Sequence, residues 1–324
     1  MMKVKDLELK AASRPVGKAA SGRLRWLVRD LKRDKALYLL LLPGLLLILV
    51  FKYIPMYGLV IAFKEYNIFS GVGASPWVGL LQFERLFRTP DFTKIFANTF
   101  IISFLKLAFG FPAAIVLSLL LNELRNMAFK RFTQTIVYLP HFISWVIFAG
   151  IITIFLNPVD GVVNFVLKAF GGQPINFLTE PSYFRPMLVV TDIYKEIGWG
   201  TIIYLAAMSG VDPHLYEAAI MDGANRFKQM WHITLPSIRP VIIILFILSL
   251  GNILEAGFMQ IFLLYNPLVY DVADVIDTYV YRKGILESNY SLGAAAGIFK
   301  SVIALALIVL TNKIVKKTGN DGLW

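Results

Sequence analysis

The sequence predicts an all-α integral membrane protein with six transmembrane helices and one cytoplasmic helix pair. Hydrophobic residues make up 57% of the 324-residue chain and charged residues only 16%, which is far more apolar than a soluble domain requires. Six apolar stretches are each long enough to cross a bilayer core, which takes about 20 helical residues. One segment between the fourth and fifth stretches carries the signals of two short helices joined by a glycine turn.

The six predicted spans alternate with three longer loops and two shorter connections. Length and apolar pattern place the spans at Leu37 to Phe63, Asn98 to Leu121, Thr133 to Leu156, Pro186 to Met208, Val241 to Leu264 and Leu292 to Val315. The longer loops, at 64–97, 157–185 and 265–291, are rich in Gly, Pro, Asn and aromatic residues. The predicted organisation is a basic tail at 1–36, a transmembrane domain at 37–318 that includes the loop 209–240, and a short tail at 319–324.

Lysine and arginine are distributed unequally between the two sides of these spans. With the N-terminus in the cytoplasm, the cytoplasmic segments hold 20 of the 32 basic residues, the outer loops eight and the spans four. Both termini are therefore predicted to be cytoplasmic, because basic residues favour that side. The tail at 1–36 is either an interfacial basic helix from Arg23 to Lys35 or a solvated segment. This distribution explains the net charge of +11 without a nucleic-acid partner.

The loop 209–240 carries the densest pattern outside the spans. Asp212 and Pro213 form a helix start, because the carboxylate can cap free backbone N–H groups and proline suits the first helical position. A helix is therefore predicted from Pro213 to Met221. The charged and small residues on this helix indicate an exposed contact surface rather than a span.

A turn and a second helix follow. Asp222 and Gly223 are predicted to form the turn, because glycine accepts a left-handed backbone without steric cost. The second helix is predicted from Ala224 to Ile233, and Pro236 is expected to end it. An alternative interpretation is an amphipathic helix pair lying on the membrane surface, which Phe227 and Trp231 would also suit.

Six residues of this loop resemble a known motif. Glu217, Ala218 and Ala219, then Gly223, then Leu235-Pro236 at fixed spacing, are similar to the EAA loop of permease subunits in bacterial binding-protein-dependent ABC importers. The resemblance implies a MetI-like ABC permease fold, in which this loop is a cytoplasmic coupling helix seated in a cleft of the ATPase subunit. The predicted ATPase-coupling residues are Glu217, Ala218, Ala219, Asp222 and Gly223, with Glu217 placed to pair with a basic residue of the ATPase.

The resemblance also implies partners and location. We expect a second permease subunit, two ATPase subunits and an extracytoplasmic solute-binding protein, assembled in the bacterial inner membrane. The chain itself is expected to be non-catalytic and without a cofactor, because ATP and magnesium belong to the ATPase subunits. The apolar passages 98–126 and 134–151 are similar to permeases of oligosaccharide and polysaccharide importers, including those for uronate-rich material such as alginate or pectin fragments.

Charged residues within predicted spans are costly and usually face a cavity, a partner or the bundle interior. Three lysines and one glutamate lie at a similar depth, roughly 12 Å below the outer face. The predicted translocation path consists of Lys106, Asp192, Lys195, Glu196, Asn252, Glu255, Gln260 and Lys300. The alternative is a set of ion pairs that only lock helices together, and the sequence leaves both interpretations open.

Other functional classes fit less well. The chain has no cysteine and three scattered histidines, so no metal site is predicted. An ion-coupled secondary transporter is compatible with six spans and intramembrane charges, but it leaves the EAA pattern unexplained. A membrane-embedded enzyme is disfavoured because no Ser–His or metal-binding arrangement occurs at usable spacing.

Overall fold

The computed structural model describes residues 34–317, which are predominantly helical, with one isolated antiparallel bridge between Lys64 and Trp77. This part of the chain divides into two units between Leu59 and Val60. The predicted tails at 1–36 and 319–324 lie outside the described residues, except for residues 34–36.

The first unit contains most of a long apolar helix, α1 (Lys35–Phe63), which at 29 residues is long enough to cross a membrane. Its backbone is α-helical over Lys35–Ile48, π-helical over Leu49–Tyr53 and 3₁₀-helical over Tyr57–Phe63. No residue of Lys35–Ile48 is buried, as expected for a helix that meets lipid or another subunit. Pro55 and Gly58 lie where the π-helical backbone gives way to the 3₁₀-helix, and proline there removes a backbone donor.

The second unit contains the remaining helices. In chain order they are α2 (Leu81–Arg88), α3 (Phe92–Asn122), α4 (Met127–Phe142), α5 (Trp145–Phe155), α6 (Val162–Ala169), α7 (Pro181–Ser209), α8 (Pro213–Met221), α9 (Arg226–Ser237), α10 (Arg239–Gly251), α11 (Phe258–Leu264), α12 (Ile276–Tyr279, continued by a π-helix at Val280–Leu286) and α13 (Tyr290–Lys317). Short helical turns also lie at Gly71–Ala74, Pro267–Val269 and Tyr270–Ala273.

The count of six spans is not confirmed. Within residues 34–317, three helices are long and apolar enough to cross a membrane, or up to five if each of two bent pairs is one span. Helix α7 has 29 residues but carries Arg185, Asp192, Lys195 and Glu196, which lower its hydropathy. The fold class is nevertheless all-α, as predicted.

Two predicted spans are interrupted. The span predicted at Thr133 to Leu156 is two helices, α4 and α5, which meet at 104°. Ile143 and Ser144 are extended, and the Ser144 hydroxyl caps the new helix at the Ile147 N–H. The continuous apolar pattern indicated a single helix here, and that interpretation was wrong, because Ser144 caps a new helix within the stretch.

The span predicted at Val241 to Leu264 is interrupted at residues 252–257, between α10 and α11. Gly257 has φ +88°, a left-handed backbone that glycine adopts without a steric penalty. The hydropathy of this stretch is continuous, so the interruption depends on local backbone geometry and on side chains from other helices. An unwound segment at this depth needs partners for its free backbone groups.

The second loop helix also differs from its prediction. Helical backbone begins at Arg226, after an Asn225 cap, and continues through Pro236 to Ser237. The prediction that Pro236 ends the helix was therefore wrong. A π-helical turn at Met230–Thr234 widens the backbone just before the proline, which gives its ring room. The bend of 62° comes one residue after Ser237, at Ile238.

Helix α7 occupies the centre of the second unit, where it packs along α3 and α4. Phe184 and Leu188 of α7 are fully buried with Ile102 of α3 and Ile261 of α11. At Gly198 the backbones are so close that a Cβ atom would lie 2.1 Å from the Val137 carbonyl oxygen of α4. Helix α7 therefore fixes the position of the elements that line the site.

Candidate functional site

The first candidate site is the coupling hairpin, formed by α8, the turn at Asp222 and Gly223, and α9. The Asp212 carboxylate accepts from the His214 N–H at 3.0 Å and caps α8, as the sequence predicts. Gly223 has φ +74°, and the Ala224 N–H donates to the Ala219 carbonyl at 2.8 Å. These bonds satisfy the free carbonyls at the end of α8 and turn the chain into α9.

The hairpin presents most of its surface outward. No residue of α8 is buried, and the Glu217 side chain is 71% exposed, with the exposed His214 ring 3.3 Å away. Of the predicted coupling residues, Ala218, Asp222 and Gly223 are also exposed, and Ala219 is half-buried. Large apolar side chains are exposed beside them: Ile220, Met221, Phe227 and Trp231. A charged anchor surrounded by small and apolar residues is suited to a helix-in-groove contact.

Internal bonds hold the two helices of the hairpin together. The Tyr216 hydroxyl lies 2.9 Å from the hydroxyl of Thr234, which is buried in α9. The Gln229 amide donates to the Ala224 carbonyl at 2.8 Å, across the turn. The hairpin is therefore able to move as one piece.

The second candidate site is a cavity of about 420 Å³ between α3, α7 and α10. Five of the eight residues predicted for the translocation path line it: Lys106, Asp192, Glu196, Asn252 and Glu255. Ser103 also lines this cavity, and its buried hydroxyl has no hydrogen-bond partner among the described residues. Buried polar groups are normally paired, so this cavity is suited to a polar occupant.

Lys106 connects three elements at the edge of this cavity. Its ammonium donates to the Asp192 carboxylate of α7 at 2.8 Å, to the Ala256 carbonyl at 2.9 Å, and to the Gln260 side chain. Gln260 is fully buried and donates in turn to the Leu188 carbonyl of α7 at 2.9 Å. All three protons of Lys106 are used, and one of them satisfies the interrupted segment 252–257.

Lys195 has a similar role at the other interruption. The side chain is almost completely buried and donates to the carbonyls of Pro140 and His141, at 3.2 and 2.8 Å, where α4 ends. Its ammonium also lies 5.3 Å from the centre of the Trp145 ring at the start of α5. Lys195 therefore stabilises the bend between α4 and α5 and does not line the cavity.

Glu196 faces the cavity from the same helix. Its carboxylate lies 2.6 Å from Nδ1 of His141, and the His141 ring stacks on Trp199 with a centre-to-centre distance of 4.4 Å. Sequence reasoning missed His141 as a partner. Pro140 and His141 lie side by side inside an apolar stretch, and this pair could have indicated that the helix is interrupted there.

Lys300 and Glu255 both line a second groove, which has a volume of about 510 Å³. Lys300 donates to the two oxygens of Asp277 on α12, at 2.7 and 2.9 Å. Asp277 was missed because residues 265–291 were predicted to be a loop, whereas most of them are helical. The Glu255 side chain is exposed and has no ion-pair partner within residues 34–317.

A separate polar network holds the helical turns before α12. Arg282 donates to both oxygens of Asp274, a carboxylate that is 8% exposed. The hydrogen bonds that Arg282 donates to Asp274 raise the pKa of Arg282, which lies outside the predicted spans. Arg185 of α7 donates to the Val272 carbonyl at 3.0 Å and to the Asn98 side chain of α3 at 2.6 Å, and so connects this region to both helices.

The structure does not bring titratable residues together as a metal site. No group of three or more His, Cys, Asp or Glu side chains that could hold a metal ion occurs between residues 34 and 317. Charged side chains such as Lys106 and Lys195 instead pair with carboxylates and satisfy backbone carbonyls at helix interruptions.

Comparison with known proteins decides the family. Residues 107–319 match the profile of the family described as binding-protein-dependent transport system inner membrane component. This chain belongs to that family. The match includes the whole coupling hairpin and every residue that lines the central cavity except Ser103 and Lys106. The chain is therefore a helical, multi-pass inner-membrane component of a transport system that depends on a binding protein.

Two relatives from Bacillus subtilis (strain 168) resemble this family member over almost their whole length. Protein LplB is 49% identical over 96% of this chain and 97% of its own. The polygalacturonan/rhamnogalacturonan transport system permease protein YteP is 48% identical over 93% of this chain and 94% of its own. The similarity extends well beyond the residues of the EAA pattern.

Solved structures show the same fold. A chain from the crystal structure of a bacterial ABC transporter involved in the import of the acidic polysaccharide alginate has a TM-score of 0.82 and 45% identity. It covers 90% of this chain and 98% of its own length. A chain of bacterial alginate ABC transporter, in complex with a periplasmic protein bound to alginate pentasaccharide, is similar to the same degree, with 44% identity. These comparisons confirm the predicted permease fold.

Proposed function

We propose that this chain is the permease subunit of an ABC importer that carries a uronate-rich oligosaccharide or polysaccharide across the cytoplasmic membrane. The observation that carries this proposal is the 45% identity, over 90% of the chain, to a permease of an alginate importer. YteP, whose name assigns it to polygalacturonan and rhamnogalacturonan, points to the same class of acidic saccharide. Partner subunits hydrolyse the ATP, and this chain is not itself catalytic.

The proposed complex contains this chain, a second and different permease subunit, two ATPase subunits and an external solute-binding protein. Both termini and the coupling hairpin lie in the cytoplasm, which the distribution of basic residues supports. Glu217 enters the ATPase cleft as the charged anchor, with Ala218 and Ala219 allowing close approach and Asp222 and Gly223 forming the turn. The exposure of these residues supports a contact with another subunit.

The central cavity is this subunit's proposed share of the translocation path. Lys106, Asp192, Glu196, Asn252 and Glu255 line it, and Lys300 faces the adjoining groove together with Glu255. Lys195 and Gln260 support the path indirectly, since their polar atoms are bonded to neighbouring helices. Each lysine of the set is paired with an acidic side chain. This subunit therefore offers saccharide hydroxyls polar partners without an excess of positive charge.

Charge reversal at Glu217 tests the coupling assignment. We expect Glu217→Arg to fold, because the side chain is 71% exposed, but to lose ATPase recovery or ATP turnover stimulated by the binding protein. The measurement is co-purification from membranes with both permease subunits, followed by stimulated ATP turnover in proteoliposomes. Glu287→Arg, which alters an exposed carboxylate far from the hairpin in sequence, is the matched control. Wild-type chain that recovers no ATPase would instead favour an ion-coupled secondary transporter.

Saccharide specificity is tested in the same proteoliposomes. Uptake and stimulated ATP turnover are compared for oligomers of mannuronate and guluronate, for oligogalacturonate, and for neutral oligosaccharides of equal length, each with its binding protein. The proposal expects uptake of at least one uronate oligomer. Uptake of neutral oligosaccharides alone would contradict the acidic substrate and leave the coupling assignment unaffected.

A further inference from the structure

Besides its covalent connections to α7 and α10 and its apolar contacts, the coupling hairpin is linked to the rest of the described chain by one ion pair. Arg226, the first residue of α9, donates to the backbone carbonyl of Glu123 at 3.2 Å and to its carboxylate at 3.5 Å. Glu123 lies directly after the C-terminus of α3. Within residues 34–317, apart from the Asp212 cap at the start of α8, no other side-chain hydrogen bond or ion pair that the structure shows joins the segment 213–237 to another part of the chain.

This pair spans an otherwise open groove. Residues 122–125 form one wall, residues of the hairpin between Ile220 and Gln229 form the other, and the volume between them is about 860 Å³. Around the turn, the hairpin and the end of α3 are therefore separated by space rather than by packed side chains. Among the described residues, the Arg226–Glu123 pair is the one polar contact at this place through which movement of the hairpin can act directly on the end of α3.

The remaining contact between the hairpin and α3 is apolar. Met230 and Leu235 pack against the cluster that contains Ala114 and Leu119 of α3. Apolar contacts are non-directional, so they resist separation more than sliding. A charge-assisted hydrogen bond at a helix end fixes direction and position, and the negative end of the α3 dipole favours a cation there.

Helix α3 leads from this pair to the central cavity. It is continuous from Phe92 to Asn122, and Lys106 lies 17 residues before Glu123, about 25 Å along the helix axis. The Lys106 ammonium is bonded to the Ala256 carbonyl in the interrupted segment 252–257 and to Asp192 of α7. Displacement of the cytoplasmic end of α3 would therefore act on the interruption beside the cavity.

We propose that the Arg226–Glu123 pair is the mechanical link through which the coupling hairpin moves α3 during transport. Arg226 and Glu123 are positioning residues in this role. They do not belong to the EAA pattern, and they contact neither ATP nor saccharide. The inference rests on the proposed function, since it requires an ATPase that moves the hairpin.

The first experiment separates coupling from folding. In proteoliposomes with the binding protein and ATPase, Arg226→Gln and Glu123→Gln should each lower the saccharide transported per ATP hydrolysed by at least fivefold. Arg226→Lys should retain at least half of the wild-type ratio, because the cation is kept. Lys228→Gln is the matched control, as it removes a cation from the same helix that makes no ion pair with a described residue. The yield of assembled complex should stay within twofold, because the pair is half-exposed and contributes little to folding.

A second experiment replaces the ion pair by a covalent bond. The chain has no cysteine, so Glu123→Cys together with Arg226→Cys introduces the only thiols of this subunit. The double variant should lose coupling in its reduced form and regain at least half of it after reaction with a short bifunctional thiol reagent. This arm remains informative if a glutamine variant assembles poorly.

Two results would overturn the link. One is an unchanged transport-to-ATP ratio in both glutamine variants, and the other is a cross-linked protein no better coupled than the reduced one. Failure of the proposed function has a different signature, because the wild-type complex would then show no ATP-dependent uptake at all.

Discussion

Removal of the Lys106 ammonium tests whether the interrupted segment 252–257 is held by a buried charge. In Lys106→Met the apolar stem is kept, while the Asp192 carboxylate and the acceptors of Ala256 and Gln260 lose their donor. Breaking one partner of a buried pair costs about 3–5 kcal/mol. Lys106 is 9% exposed and Asp192 24% exposed, so we expect a loss of about 3 kcal/mol of unfolding free energy.

A double-mutant cycle separates the charge from the hydrogen bonds. Lys106→Met with Asp192→Leu removes the uncompensated carboxylate and leaves two acceptors without a donor, each costing about 1 kcal/mol. The double variant should therefore be no less stable than Lys106→Met, with a coupling free energy of about 1–3 kcal/mol. The measurement is equilibrium unfolding of the purified protein in mixed detergent micelles.

Lys94→Met is the matched control on the same helix. Lys94 pairs with Asp271, whose side chain is 79% exposed, and exposed pairs contribute less than about 1 kcal/mol. The reasoning is refuted if Lys106→Met is no more destabilising than Lys94→Met. It is also refuted if the effects of the Lys106 and Asp192 substitutions simply add.

Two further predictions follow from the same contacts. Gly198→Ala should destabilise the second unit by about 1–3 kcal/mol, because the new Cβ would lie 2.1 Å from the Val137 carbonyl oxygen and backbone cannot yield as a flexible side chain does. Gly150→Ala, where nothing lies within 4 Å, should be neutral or stabilising in the same thermal unfolding series, and equal melting shifts would contradict the close contact. Glu255→Gln should lower saccharide uptake several-fold while changing stability by less than about 1 kcal/mol, since its carboxylate is exposed and forms no ion pair with any residue of the range 34–317. A large loss of assembled complex in this variant would show instead that Glu255 is structural.

The hairpin could be predicted closely from the sequence, because its signals are local. Asp212 and Pro213 begin α8 and Gly223 ends it, as backbone capping and a left-handed turn require. The same local rules failed at Pro236. The π-helical turn at Met230–Thr234 ends two residues before this proline and lets the helix continue past it. The presence of a proline does not by itself predict such a turn.

The polar residues of the spans could be located from the sequence but not assigned to partners. Hydropathy alone shows that Lys106, Lys195 and Lys300 are costly in a membrane and need partners. Apart from Glu196, which is next to Lys195 in sequence, each has a partner far along the chain: Asp192 at 86 residues, the His141 carbonyl at 54 and Asp277 at 23. Contacts over such distances depend on how α3, α4, α7 and α13 pack.

The amino-acid sequence by itself determined the membrane location, the family pattern and the coupling hairpin, because composition, hydropathy and capping act over short stretches of chain. The tertiary structure decided where two apolar stretches are interrupted and which side chain satisfies each interruption. The carbonyls of His141 and Ala256 at the two interruptions accept hydrogen bonds from Lys195 and Lys106, which reach them from other helices. Hydropathy alone does not distinguish a continuous apolar stretch from an interrupted one, because an interruption also depends on the donors that the folded helices bring to it.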